Sequence, residues 1–431
     1  PPPEPNGSTV GGWPMLAALG FRQFVREGRL TIIDANGKRH VFEGSPGPEA
    51  TIRLTDPSLH HRLFFSPQMA VGEGYMNGGL VFEEGTDLYS FLDVCMLNVE
   101  RSETESIQWM LRWFRNARAA FRHWNPIGAA QRKVSHHYDL RDELFDLFLD
   151  SDRQYSCGYF LDPSDDLETA QYNKKVHLAA KLRAKPGHKV LDIGSGWGGL
   201  GLFLADRHST ISVDGVTLSR EQHRVSNLRA EKAGVADRVK FHLRDYRTLE
   251  NDAYDRIVSV GMLEHVGPRH YHEYYGKVSK LLKPDGVAVI HSIGVFRPAQ
   301  PQNPWMEKYI FPGAYTPSLS QQTEAIERHT DLYVTDIEIL RTHYADTLLA
   351  WRLNCERQRD KIVEMYDERF YRMWEFYLTG CELAFRYGYL MVFQIQLAKS
   401  IAAVPETRDY IGAFESQHLK RAARRLQQAG D

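Results

Sequence analysis

The sequence predicts an α/β protein built on a doubly wound, mostly parallel sheet, with a small α+β domain ahead of it. Three observations carry this. From about residue 188 onward, short apolar strands alternate with helical patterns. The first of these strands runs into a glycine turn that opens a helix, Val190-Leu191-Asp192-Ile193-Gly194-Ser195-Gly196-Trp197-Gly198-Gly199. Residues 16–95 instead hold isolated β-like runs, Leu30–Ile33 and Ala50–Leu54 among them, separated by turn signals such as Asn36-Gly37.

In order along the sheet region, the expected strands are Lys189–Ile193, Thr210–Val216, Val239–Leu243, Arg256–Val260 and Val287–Ser292. The expected helices are Leu200–Asp206 and Ser219–Ala233. Ligands of such sheets bind at the carboxyl ends of the strands. Residues 320–425 read as helical and dense in aromatics, including Tyr371, Trp374, Phe376, Tyr377, Phe385, Tyr387, Tyr389 and Phe393. That stripe is core by default, and part of it is a candidate wall for an apolar channel.

Bulk properties bound the function. A chain of 431 residues suits two or three units, and 42% hydrophobic with 25% charged residues is an ordinary globular balance. A net charge of -2 gives no global attraction for a polyanion, although local patches still matter. The four cysteines form no CxxC pair or zinc spacing, and their sparseness suggests a reducing compartment. The first twelve residues, rich in Pro and Gly, are expected to be disordered and lack the basic and apolar regions of a signal peptide. No apolar run approaches the roughly 18–20 residues of a membrane span, so any contact with lipid is expected from the surface.

Residues 107–133 carry six Lys or Arg and no acid. On a helical wheel, Trp109, Trp113, Phe121 and Trp124 fall opposite Arg112, Arg115, Arg118 and Arg122. Such a helix suits an anionic membrane surface, or equally an interdomain position with its aromatics buried. The basic run Lys420, Arg421, Arg424 and Arg425 is either a solvated face or a second membrane contact.

The glycine turn fits two cofactor classes. Gly194, Gly196 and Gly199 satisfy the dinucleotide spacing, and Asp214 lies twenty residues beyond Gly194. Three features favour S-adenosylmethionine. Asp192 sits at the turn, where it would repel a pyrophosphate but attract a cationic sulfonium ligand. Asp245, in Arg244-Asp245-Tyr246, follows the third strand, a frequent adenine position. Leu281-Leu282-Lys283-Pro284-Asp285-Gly286 precedes the fifth strand, as in many class I methyltransferases.

The set of motifs resembles the cyclopropane fatty acid synthases, including their mycolic acid variants and related fatty acid methyltransferases. The matching pieces are Val134–Asp139, Tyr155–Phe160, Gln171, the glycine turn, Thr217–Gln222, Val260–Gly267, His291–Gly294, Tyr309–Gly313 and Val392–Gln394. They span roughly residues 120–400. The N-terminal region resembles the extra domain of the long bacterial enzymes more weakly.

The resemblance implies a class I (Rossmann-like) methyltransferase with a seven-stranded, mostly parallel sheet and helical lid or acyl-channel insertions. The expected organisation is a small domain at 13–105, a basic amphipathic linker at 106–133 and a catalytic domain at 134–431. It places the cofactor on Tyr138, Ser156, Asp192, Gly194, Gly196, Thr217, Leu218, Gln222, Asp245 and Tyr246. Tyr246 stands where many members have Trp, and either ring offers adenine a flat face. The resemblance also implies a bicarbonate pocket at Cys157, Glu264, His291, Ile293 and Tyr344. It further implies a phospholipid substrate at the inner membrane face, a cytoplasmic peripheral location and a homodimer.

These residues suit the implied reaction, transfer of one carbon from S-adenosylmethionine to the cis double bond of an acyl chain. An alkene is a weak nucleophile and must be aligned with the methyl donor. A base must then remove a proton near a carbocation without being alkylated, and water must be kept out. Ring closure and formation of a methylene or methyl branch share that site and differ only in which proton leaves. Also open are methylation of a soluble small molecule and a non-catalytic lipid-binding role on the same fold.

Overall fold

The computed structural model describes residues 21–102, 140–299 and 301–418. Tyr138, the helix expected at 107–133, the first twelve residues and the Lys420–Arg425 run lie outside them. The chain divides into two compact units. The first joins the N-terminal segment to Asn303–Ile310 and Arg359–Tyr387, and the second holds the remainder.

In the first unit, four strands, β1 (Glu27–Ile33), β2 (Arg39–Glu43), β3 (Ser45–Leu54) and β4 (Leu80–Glu83), form a sheet in the order β2-β1-β3-β4. The expected strands at 30–33 and 50–54 lie inside β1 and β3. The unit is larger than residues 13–105 because its core recruits chain from far away. Leu383, on the helix Glu368–Arg386, packs into the core with Leu30, Ile52 and Leu59. Trp305 is fully buried with its indole N–H on Met76 Sδ at 3.2 Å. A Cβ at Gly72 would lie 2.4 Å from that indole, so glycine is required for the ring to seat there. Tyr75 donates to Glu375 (2.5 Å) and Tyr387 to Asp93 (2.7 Å). Six of the C-terminal aromatics, from Tyr371 to Tyr387, therefore belong to this unit.

The second unit is built on a seven-stranded sheet. Its strands are β5 (Lys189–Ile193), β6 (Ser212–Thr217), β7 (Val239–Leu243), β8 (Tyr254–Val260), β9 (Leu282–Val295), β10 (Tyr333–Ile339) and β11 (Leu390–Ala398). Their order is β10-β11-β9-β8-β5-β6-β7, with β11 antiparallel to both neighbours and the rest parallel. This is the class I methyltransferase arrangement.

Alternate residues of β5 feed opposite cores, Val190 one and Leu191 with Ile193 the other. Burial on both faces explains the near-continuous apolar strands. The sheet face of Val190 also carries Asp192 by alternation, and it is covered by the helix Leu167–Leu182.

The sequence reading erred in two regions. The described part of 320–425 is mainly helical as expected, but two strands within it, β10 and β11, went unread, and they complete the sheet. Leu390–Ala398 is buried on both faces, so it lacks the alternation that marks a half-exposed strand. Lys283–Gly286 does not precede β9 but lies within it, bulging where Tyr254 pairs with Leu282 and Arg256 with Val287.

Candidate active site

A cavity opens at the carboxyl ends of β5, β6, β7 and β8, where a doubly wound sheet binds its ligand. Nine predicted cofactor residues line it: Ser156, Asp192, Gly194, Gly196, Thr217, Leu218, Gln222, Asp245 and Tyr246. The tenth, Tyr138, is outside the described residues.

Its floor is the glycine turn. Gly194 and Ser195 both donate their N–H to Val216 O at 3.0 Å, pinning the turn to β6. Gly196 has φ +54° and no atom within 4 Å on the side where a Cβ would project. A ligand can therefore approach the bare backbone.

Asp192 supplies the charge. It is 2% exposed, and Oδ2 has no hydrogen-bond partner. Burial pushes its carboxyl up to about 7, while the Lys174 ammonium pulls the other way. A buried acid without a partner, at the edge of an open cavity, fits a cationic ligand.

On the far wall, Thr217 Oγ1 donates to Gln222 Oε1 (2.9 Å) and accepts from Ser219 N–H (3.1 Å). This holds the Gln222 amide by its oxygen and leaves its NH2 as the donor suited to a ribose. The dinucleotide alternative loses its ribose acid. Asp214 lies three residues before the end of β6 and is engaged by Lys189 (2.9 Å), His242 (3.2 Å) and Tyr254 OH (3.1 Å).

Asp245 also differs from expectation in its surroundings, because Arg247 occupies both carboxylate oxygens through Nε (3.0 Å) and Nη2 (2.7 Å). The Tyr246 ring is braced edge-on by Tyr274.

The five residues of the expected anion pocket line none of this cavity, yet two are next to residues that do. Cys157 follows Ser156, and Glu264 precedes His265. Glu264 sits in the single turn Leu263–His265 after β8. Its Oε1 accepts the Ile293 N–H at 2.6 Å, its carbonyl accepts Tyr315 N–H at 2.9 Å, and Oε2 is buried without a partner. Burial raises its carboxyl above the usual range, against the Ile293 hydrogen bond.

His291 lies two residues before Ile293 on β9 and so shares its face. Burial, reinforced by the positive Lys174, Lys181 and His177, lowers it to about 3, so it is neutral at physiological pH. Gln394 on β11 is 3.2 Å from Nδ1. With the amide donating there, Nε2 carries the ring proton.

Cys157 is 0% exposed, and burial pushes its thiol far above its ordinary value, which suits a packing or anion-contact role rather than a nucleophile. The adjoining Gly158 N–H donates to Thr347 Oγ1 at 2.9 Å, one turn from Tyr344 on the helix His343–Arg357. Tyr344 is itself buried, edge-on to Trp351 at 5.8 Å. The structure thus joins Glu264 to Ile293 directly, and Cys157 to the helix of Tyr344 through Gly158 and Thr347.

Sequence reasoning missed Gln154, Met262 and His265 in the cavity wall, and Lys174 behind it. The signal for Lys174 was available. Gln171 and Lys174 are i, i+3 on one helix, and the first already belonged to a matched motif.

Residues 128–395 match the family described as mycolic acid cyclopropane synthetase. The chain belongs to the cyclopropane fatty acid synthase family. It is 36% identical to the cyclopropane-fatty-acyl-phospholipid synthase of Escherichia coli K12 over 354 residues, 82% of this chain and 88% of that one. It is equally identical to the tuberculostearic acid methyltransferase UfaA1 of Mycobacterium tuberculosis over 410 residues, 92% and 93% of the two chains.

Among solved structures, the cyclopropane synthase MmaA2 of Mycobacterium tuberculosis is similar, with a TM-score of 0.59 and 31% identity, over 62% of this chain and 98% of that one. The mycolic acid cyclopropane synthase CmaA1, complexed with SAH and CTAB, gives 0.59 and 30%, over 64% and 99%. As a family member the chain is an S-adenosylmethionine-dependent C-methyltransferase, and the unpartnered Asp192 and open Gly196 backbone fit that cofactor.

Proposed function

We propose that this enzyme adds one carbon from S-adenosylmethionine across the cis double bond of a phospholipid acyl chain, forming a cyclopropane, with bound bicarbonate as the base. The observation that carries the reading is the Glu264–Ile293–His291 cluster. Glu264 keeps a buried carboxylate oxygen without a partner and accepts the N–H of Ile293, two residues along β9 from the neutral imidazole of His291, and the residue after Glu264 lines the cofactor cavity. The names of the E. coli relative and of the matching family support the acyl-chain substrate and the ring product.

When bound, S-adenosylmethionine supplies an electrophilic methyl group on a cationic sulfur. Asp192 offsets the cofactor's positive charge, Gln222 and Thr217 hold the ribose side, and Tyr246 offers a face for adenine. Closing a ring on the added carbon requires that a proton leave it. With bicarbonate in the proposed pocket, Glu264 Oε2 would be the acceptor for its hydroxyl, and His291 Nε2–H and the Cys157 backbone N–H would be the donors to its oxygens. Tyr344 adds a donor and a ring face that favours nearby positive charge. Ile293 closes the pocket and helps exclude water, which would trap a carbocation as an alcohol.

No helix among the described residues is long and apolar enough to cross a membrane. We place the enzyme at the cytoplasmic membrane surface, drawn there by the basic 107–133 segment and acting as a homodimer.

A second reading keeps the same site but loses a different proton, leaving a methylene branch or a methyl-branched olefin. The long alignment with the tuberculostearic acid methyltransferase supports it. The test is incubation with methyl-labelled S-adenosylmethionine, bicarbonate and oleoyl-phospholipid vesicles, then mass and proton NMR analysis of the released fatty acids. A gain of one CH2 with upfield ring protons is expected. Vinylidene protons select the second reading, and no lipid product with cofactor bound refutes both.

A further inference from the structure

We propose that Lys174 is a positioning residue that couples the two halves of the site. Its buried ammonium holds the 154–157 loop and sets a positive field at both the cofactor acid and the anion pocket. The second half of this inference rests on bicarbonate being the base.

Lys174 is 0% exposed on the helix Leu167–Leu182. Its Nζ donates to Gln154 Oε1 at 2.7 Å and to Ser156 Oγ at 2.8 Å. One turn earlier, Gln171 Nε2 donates to Ser156 O at 2.9 Å and to Gln154 O at 3.3 Å. Two side chains of one helix therefore grip the same loop, one by its side chains and the other by its backbone. Gln154 and Ser156 line the cofactor cavity, and the next residue is Cys157. A shift of this loop would move both pockets together.

A fully buried lysine is ordinarily paired with a carboxylate. Here both hydrogen-bond acceptors are neutral. The nearby acids are engaged elsewhere. Asp152 bonds Lys175 and Arg229, and Asp150 accepts the Gln154 N–H at 2.7 Å. The charge is therefore only partly offset, and it is felt at Asp192, Cys157 and His291, lowering the proton affinity of each. Asp192, His291 and the Lys174 helix all belong to one face of the sheet, which is why one cation reaches both. Its field favours the ionised acid that a cationic cofactor needs, and it favours an anion beside His291. Lys174 itself need not touch substrate.

The test compares native enzyme with Lys174→Met, with circular dichroism and thermal unfolding as checks of folding. Two readouts go beyond a structural role. In cofactor titrations between pH 5.5 and 9, the pH at which binding is half lost follows Asp192 and is expected to rise by about one unit in the variant. In turnover, the half-saturating bicarbonate concentration is expected to rise about tenfold, with a smaller change in KM for S-adenosylmethionine at the upper end of that range. A folded variant with an unchanged pH midpoint and unchanged bicarbonate dependence overturns the inference.

Should Lys174→Met fail to fold, the native enzyme still decides. Burial lowers the Lys174 ammonium to about 8. At saturating cofactor, the bicarbonate requirement should therefore climb about tenfold from pH 7 to pH 9, and a flat profile overturns the inference. A native enzyme indifferent to bicarbonate at every pH refutes the base reading instead, and the cofactor midpoint then decides the role of Lys174.

Discussion

Replacing Asp192 with Asn should make the cofactor-free enzyme more stable above neutral pH while removing cofactor binding. The carboxyl is raised from 3.8 to about 7 by burial without a partner. Between those values the folded protein binds a proton that the unfolded chain has released, so stability falls as pH rises through this window. At about 1.4 kcal/mol per unit, the full loss is about 4 kcal/mol, of which about 3 accrues between pH 5 and pH 8.

Asn cannot ionise, so the stability of Asp192→Asn minus that of native should grow by about 3 kcal/mol over that interval. Thermal unfolding without cofactor at pH 5, 6, 7 and 8 reads this, at about 2–4 °C per kcal/mol for a unit of this size. The difference between variant and native must be used, because His291 pulls native stability the opposite way below pH 6.5. A difference that stays constant across pH would refute the claim that Asp192 is an uncompensated acid. Native protein saturated with S-adenosylmethionine should lose the destabilisation, since a cationic partner restores the ordinary carboxylate range.

Three further outcomes are expected. Glu264→Gln should cut product formation about 10²–10³-fold, as expected for loss of a preorganised polar group, with cofactor affinity by calorimetry held within a few-fold. His291, lowered to about 3, should show no titration between pH 5 and 8 by NMR. Its refusal of a proton should cost about 2 kcal/mol of stability between pH 6.5 and 5, a loss absent in His291→Gln. Gly196→Ala should weaken cofactor binding at least about tenfold and lower stability by about 1 kcal/mol, because its φ of +54° opposes a Cβ that would also enter the cavity.

The sequence made the cofactor half of the site legible because local rules govern it. A strand that ends in Asp192 and turns on glycines has few other uses, and every described residue assigned to that half lines the cavity. Strands β5 to β8 were legible through alternation with helices. What was hidden depends on partners distant in sequence. The buried β11 gives no periodic signal. Glu73, which accepts from Tyr309 at 2.7 Å, gives no sign in its own neighbourhood of a partner 236 residues away. The Arg247 clamp on Asp245 could have been anticipated from their i, i+2 spacing in a tight turn. Lys174 was legible only through Gln171, three residues before it on the same helix and already in a matched motif, because by itself a lysine in a helix reads as solvent-facing.

The chain order of the two units bears on how the protein is made. Strand β9 carries His291 and Ile293, and among the described residues its edge away from β8 is paired along its length by β11, residues 390–398. The first unit in turn draws on Arg359–Tyr387. During synthesis, neither unit can be completed until residues 387 and 398, respectively, have left the ribosome, and meanwhile β9 presents a bare, apolar edge. A nascent chain halted near residue 385 should therefore be prone to aggregation and dependent on chaperones. A stop codon just before residue 390 should be as damaging as one much earlier.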